Sequence, residues 1–200
     1  MLTLHLAEAS QLAVLVEGQY VAAVGSGEET AAARPGVRVR RWPGILLPGL
    51  VNPHGPELLE RTYHPDPREA DTLGTAPLTG DRAAALLTDP SHRAATARRG
   101  VQRMLAHGTV AVAGTLRGPA LDAVRRAGLA QLPRTGTPGG TPALDPYASG
   151  VPLPVLPPLA VGDVARFAVF DVADEAELAV RGAGTCVATV VAGRLVYRRR

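Results

Sequence analysis

Leu47-Pro48-Gly49-Leu50-Val51-Asn52-Pro53-His54-Gly55-Pro56 is an apolar, strand-like run that delivers a histidine between two prolines. Side chains two apart on an extended strand point to the same face, so a donor at each of positions 54 and 56 would converge on one ion. Position 56 is proline, which has no donor atom in any rotamer. The stretch therefore reads as an apolar strand end carrying one potential donor, His54.

Working outward, the first 25 residues read as short strands. Leu2, Leu4 and Leu6 alternate, and Leu12 to Val16 and Tyr20 to Val24 flank Glu17-Gly18-Gln19. A glycine in so short a connection permits a positive φ, which predicts a hairpin. The far end repeats the pattern, with Val187 to Val191 and Leu195 to Tyr197 flanking Ala192-Gly193-Arg194. Matching hairpins at both ends are expected to join in one small sheet or sandwich. Further strands are expected at Val37 to Ile45 and Phe167 to Val172, and His5 falls in an edge-like strand.

The middle reads as helical. Asp89 as N-cap and Pro90 at the first helical position open a segment with Ala94, Ala97, Val101, Met104 and Leu105 on one face, and Gly108 closes it. Thr109 to Gly114 is an apolar strand. Pro119 opens a second helix with Leu121 and Val124 inward and Gly128 as its stop, before a short strand at Leu129 to Leu132. If these strands pair in parallel, the unit is βαβ-like with a right-handed crossover as default. Between positions 133 and 158 stand eight prolines and four glycines, a composition that blocks helices and sheet interiors and reads as a linker or extended surface loop.

Composition excludes several function classes. All 21 basic residues are arginine and the formal charge is only +3. We read that bias as genomic GC content rather than a nucleic-acid signal, and 4% aromatics leave little for bases to stack on. The runs Arg38 to Arg41 and Arg198 to Arg200 read as solvated charge. The single cysteine, Cys186, excludes an intrachain disulfide framework and, with no signal-like start, points to the cytoplasm. No apolar stretch approaches the roughly 18 residues that span a bilayer. Neither nucleic acid nor membrane is an expected partner.

Three separated pieces together resemble the amidohydrolase superfamily, in its imidazolonepropionase, aminodeoxyfutalosine deaminase and chlorohydrolase branch. One is the N-terminal hairpin running through Pro48-Gly49-Leu50-Val51-Asn52-Pro53-His54. Another is Gly100 to Val112, with Met104-Leu105-Ala106-His107-Gly108-Thr109 at its centre. The last is Val161 to Val172 followed by Thr189 to Tyr197. The resemblance implies a composite β-sandwich built from both chain ends and a TIM barrel whose first strand ends in His-x-His. That barrel needs roughly 250 residues by itself, and between Thr109 and Pro158 there is room for one or two βα units. The family's further ligands, a carboxylated lysine or glutamate, two more histidines and an aspartate, have no counterparts, since the chain has no lysine and no histidine after His107.

The fold expected is therefore α+β: a small β-sandwich from residues 1–50 and 159–200, a truncated helical/βα barrel remnant at 51–132, and the Pro/Gly-rich linker or loop at 133–158. No residue is assigned to catalysis, metal or cofactor. His54 is a vestigial metal candidate with Pro56 at the missing-ligand position, and a catalytic metal needs about three protein ligands. The expected function is non-catalytic binding or scaffolding, as a homo-oligomer or beside a partner enzyme. A homo-oligomer is suggested by the apolar faces of Val110, Val112 and the two helices, which a deleted barrel would leave uncovered. The alternative is a zinc- or iron-dependent hydrolase of non-peptide C–N bonds in a cyclic amide, amidine or aminopurine-like substrate, its site completed by another subunit. A ligand-binding module that keeps the old pocket is a third reading.

The remaining polar residues have simpler readings. His64-Pro65-Asp66, with Glu57, Glu69 and Asp71 near in sequence, reads as a surface loop rather than a metal site. His107 caps a helix end, His92 faces solvent, and Asn52 bonds backbone in a turn before Pro53. Cys186 is a small core residue, Ser91 belongs to a helix cap, and Gly25-Ser26-Gly27 is a loop.

Overall fold

A computed structural model describes residues 2–27, 30, 36–154 and 156–199. Arg200, the last of the C-terminal arginine run, lies outside them. The chain is an α+β protein in which two four-stranded sheets face each other and a smaller parallel βα unit packs on the second.

The first sheet contains β1 (Leu2–Ala7), β2 (Leu12–Glu17), β3 (Tyr20–Ser26) and β4 (Arg38–Trp42), in the order β3-β2-β1-β4. The β2–β3 hairpin turns at Gly18, whose φ is +61°. Strand β1 is antiparallel to β2 and parallel to β4, so it is an inner strand. His5 on it is therefore not at an edge: it is 2% exposed and its Nδ1 accepts a hydrogen bond from Trp42 Nε1 at 3.2 Å. Gly25 and Ser26 close β3 instead of forming a loop.

The expected single strand from Val37 to Ile45 is two strands. Pro43-Gly44 breaks it, and β5 (Ile45–Leu47) crosses into the second sheet to pair antiparallel with β9 (Arg166–Phe170). Gly44 is required there, because its φ is +74° and a Cβ would collide with the Phe170 carbonyl.

The connection continues through β6 (Leu50–Asn52), α1 (Gly55–Glu60), α2 (Ala70–Leu73), α3 (Gly80–Leu86), α4 (Pro90–Leu105), β7 (Thr109–Ala113), α5 (Gly118–Ala127) and β8 (Ala130–Leu132). Beyond β9 lie α6 (Glu175–Arg181), β10 (Cys186–Val191) and β11 (Arg194–Arg198), and the second sheet has the order β11-β10-β9-β5. The β10–β11 turn holds Ala192 and Gly193 at φ +48° and +71°, the two positive values a tight primed turn demands.

The sheets share one core. Ala7, Val14, Val16, Val21 and Trp42 of the first meet Leu46, Phe167, Val169 and Val190 of the second. The two end hairpins also touch, with Ala165 linking them: its amide donates to Gln19 O and its carbonyl accepts from Gly193 N. The opposite face of the second sheet supports the parallel unit. Thr189 Oγ1 donates to Leu105 O at 2.7 Å, and Gly108 lies so close to the Phe170 ring that a Cβ would sit 2.5 Å from it.

In that unit β6, β7 and β8 are parallel, in the order β6-β7-β8. Helix α4 starts as its caps require: Asp89 accepts from Ser91 N at 2.7 Å and Pro90 occupies the first turn. Ala97, Val101, Met104 and Leu105 of α4, and Ala120, Ala123 and Val124 of α5, cover Val110 and Val112. Those two valines are fully buried within the chain, so they offer no uncovered face for a second copy. Gly128 ends α5 at φ +79°.

Candidate functional site

In open parallel sheets, ligands gather beyond the carboxyl ends of the strands. Here those ends are Asn52, Ala113 and Leu132, and the loops leaving them bring together residues far apart in sequence. β6 stops before His54, because Gly55 and Pro56 start a helix; His54 is the N-cap residue of α1 and Pro56 lies in its first turn. Positions 54 and 56 do not share a strand face, contrary to the extended reading of that stretch. Both are buried.

Asn52 and His54 face the Pro/Gly-rich segment. Asn52 Nδ2 donates to Ala143 O at 2.8 Å, while its Oδ1 accepts from His54 N at 2.9 Å, the expected turn contact. His54 Nε2 lies 3.1 Å from Gly139 O, and its Nδ1 is buried without a hydrogen-bond partner. The segment from 133 to 158 is thus tied by its backbone to the end of β6. Leu156 within it packs on Val51, Ala111 and Ala113.

The charged part of the site is built around Arg134. Its Nη1 and Nη2 donate to Glu57 Oε2 and Oε1 at 2.9 and 3.0 Å, Nη1 also reaches Pro53 O at 2.8 Å, and Nε donates to Gly136 O at 2.9 Å. Burial works against the Glu57 carboxylate, but the hydrogen bonds and charge of Arg134 outweigh it and hold the group below its ordinary range. Close backbone approach brings the first two strand ends together, since a Cβ on Gly114 would meet Pro56 at 2.7 Å.

Two neighbouring cavities open beside this knot. One of about 290 Å³ is lined by Glu57, Glu60, Arg61, Thr115, Arg117 and Arg134 among others. The other, of about 730 Å³, shares Glu60, Arg61 and Arg117 with it and has Leu59, Leu87 and Ala120 on its walls. A larger apolar cavity of about 940 Å³ lies away from them, between the sandwich and the Pro-rich segment.

These residues do not fit a hydrolytic metal. His54 offers at most one free nitrogen, Pro56 offers nothing, and no group of three His, Cys, Asp or Glu side chains among the described residues could hold an ion. The other candidate cluster is dispersed. His64 is not on the surface but fully buried, with Nε2 2.8 Å from Leu58 O, and burial pushes its pKa down to about 4. Asp66 and Glu69 form a capping box, and Asp66 pairs with Arg99 at 3.3 Å.

His92 is partly buried rather than solvent-facing, with Nδ1 3.0 Å from Leu86 O and its ring edge-on to Tyr63. His107 Nδ1 lies 2.8 Å from Arg103 O at the end of α4, where a capping residue belongs. Cys186 is fully buried, and burial pushes its thiol up to about 11. Arg61, Arg117 and Arg134 were invisible in the sequence as site residues. Their only signal is position, each following one of the three parallel strands.

No family model and no curated protein matches the chain. Among solved structures it is similar to E. coli guanine deaminase, with 22% identity over 58% of this chain and 27% of that one and a TM-score of 0.39. It is also similar to A. niger ochratoxinase, with 18% identity over 66% and 30% and a TM-score of 0.40. A third is N-isopropylammelide isopropylaminohydrolase from Burkholderia multivorans ATCC 17616, with 20% identity over 66% and 36% and a TM-score of 0.42. The chain spans roughly a quarter to a third of the length of these proteins.

Proposed function

We propose that this chain is a reduced amidohydrolase relative that binds rather than hydrolyses. One observation supports it most: the strand end that carries His54 is occupied by the chain's own backbone, with Asn52 and His54 engaged to Ala143 and Gly139 and Pro56 given over to starting α1. A metal that activates water needs several convergent donors and an open coordination position, and this donor set supplies neither. The strand ends keep instead a charged, partly enclosed recess suited to holding a ligand. A cytoplasmic setting belongs to the same proposal, through the single reduced thiol; no helix among the described residues is long and apolar enough to cross a membrane.

Metal analysis of the purified protein, paired with turnover assays on imidazolone-type and aminopurine-type substrates with and without added zinc or iron, tests this reading. Substoichiometric metal and no turnover are expected. Stoichiometric zinc or iron that His54→Ala removes, or metal-dependent turnover, would overturn it.

A further inference from the structure

We propose that the 730 Å³ cavity beyond the carboxyl ends of β6 and β7 binds a small organic carboxylate, its anionic group between Arg61 and Arg117 and its apolar body on Leu59, Leu87 and Ala120. The inference extends the binding reading above.

The cavity brings three guanidinium groups, Arg61, Arg93 and Arg117, against one carboxylate, Glu60. Arg93 is committed: its Nε and Nη2 donate to the carbonyls of Leu87 and Thr88 at 2.5 and 3.2 Å. Glu60 is also committed, with Oε1 accepting Arg117 N at 2.7 Å. The Arg61 and Arg117 side chains make no hydrogen bond or ion pair among the described residues. Ion pairs join only Arg99, Arg134 and Arg181 to carboxylates among the described residues, so what distinguishes Arg61 and Arg117 is that they border the same cavity. Both are exposed at the cavity's edge, and together they form a local excess of positive charge whose donors face solvent.

Guanidinium forks match oxyanions by paired, charge-assisted hydrogen bonds. The walls argue for more than a bare anion, because Ala84 and Pro119 present exposed apolar surface there beside the largely buried Leu59, Leu87 and Ala120. The volume lies in the range of sites that enclose small organic ligands. Helix α5 also starts at this wall with no side-chain cap on its first turn, which favours the same sign of ligand. The sharing of Arg61 and Arg117 with the smaller recess places the carboxylate at the junction of the two.

Calorimetric titration of the full chain with 4-phenylbutyrate, 4-phenylbutyramide and inorganic phosphate tests the site. The acid is expected to bind saturably, and the amide about tenfold or more weaker, since it has lost the charge-assisted bonds. Arg61→Ala and Arg117→Ala should each weaken the acid by a similar factor, and Arg68→Ala, an exposed arginine outside the cavity, should leave it unchanged. Circular dichroism of each variant separates lost binding from lost folding. The proposal is overturned if acid and amide bind alike, if both cavity variants bind as the parent does, or if the acid fails to bind by about 10 mM. Phosphate binding as tightly as the acid would overturn the apolar half. The readout is binding alone, so a metal found in the protein would sink the non-hydrolytic reading without deciding this one.

Discussion

Glu57 and Arg134, 77 residues apart, meet in a two-point ion pair at 2.9 and 3.0 Å, with both side chains largely withdrawn from solvent. The pair joins the first turn of α1 to the chain just beyond β8, and so fastens the first and third strands of the parallel sheet at their carboxyl ends.

Removing one partner leaves the other charged and poorly solvated. Arg134→Ala is expected to cost about 2–4 kcal/mol in urea unfolding at pH 7, and the Glu57→Ala/Arg134→Ala double variant less than the sum of the two singles. The folded-state pKa of Glu57 is depressed, so its contribution is fully present above the unfolded value of about 4.5 and is lost as pH falls through the lower folded value. The gap between parent and Arg134→Ala should therefore narrow in acid. A constant gap from pH 7 to 3 would refute the assignment.

His64 gives a second pH dependence, at higher pH. Burial, with smaller help from the nearby Arg103 and Arg99 charges, lowers its pKa to about 4 against an unfolded value of 6.5, though its bond to Leu58 O works the other way. Between those limits the unfolded chain binds the extra proton, so stability is full above pH 6.5 and declines as pH falls toward 4. His5, lowered to about 4 mainly by burial, acts in the same window. A His64→Gln variant, measured by urea unfolding at intervals of pH, should show a shallower slope there than the parent.

Asn52→Ala should loosen the Pro/Gly-rich segment. It removes the donor to Ala143 O and the acceptor of His54 N at a fully buried site, an expected loss of about 2–3 kcal/mol. Hydrogen exchange should accelerate around Thr141, whose amide bonds Ser149 O within that segment, more than in the β2–β3 hairpin. Uniform acceleration would mean that the segment is not held from β6.

Gly100→Ala sets two effects against each other. Alanine is the better helix residue by about 1 kcal/mol, but its Cβ would lie 2.8 Å from both His64 Nε2 and Leu59 Cδ2. The imidazole is fixed by its bond to Leu58 O and cannot swing away, so overpacking should prevail with a net loss of about 1–2 kcal/mol in thermal or urea unfolding. A stabilised variant would show that α4 can retreat from α1.

The lone thiol provides a probe of global opening. With Cys186 fully buried and its pKa raised to about 11 by burial, a disulfide reagent at pH 8 should label it only as fast as the second sheet opens. Immediate labelling of the folded chain would contradict that placement.

Local chemistry explains which parts of this fold were legible in the sequence. Gly18 and Gly193 mark the hairpins, Asp89-Pro90 and Gly108 bracket α4, and Asn52 forms its turn, because each is decided within a few residues. Long-range pairing hid the rest. Nothing near His5 says that β4 will pair on its far side, and alternation across Val37 to Ile45 cannot reveal that Pro43-Gly44 moves the chain between sheets. His64 looked solvated because its neighbours are polar, yet α1 and Thr96 of α4 enclose it. Likewise Glu57 and Arg134 become partners only once β6 and β8 flank β7.

Among the described residues no strand lies beyond β4 in the first sheet, and such an edge is a place where another chain could pair. Arg38 and Arg41 stand exposed along that border. Bringing a second chain alongside would require desolvating or crowding those guanidinium groups. Clustered charge on an edge strand would thus work against strand-by-strand pairing, an effect that calls for no bound ligand at all.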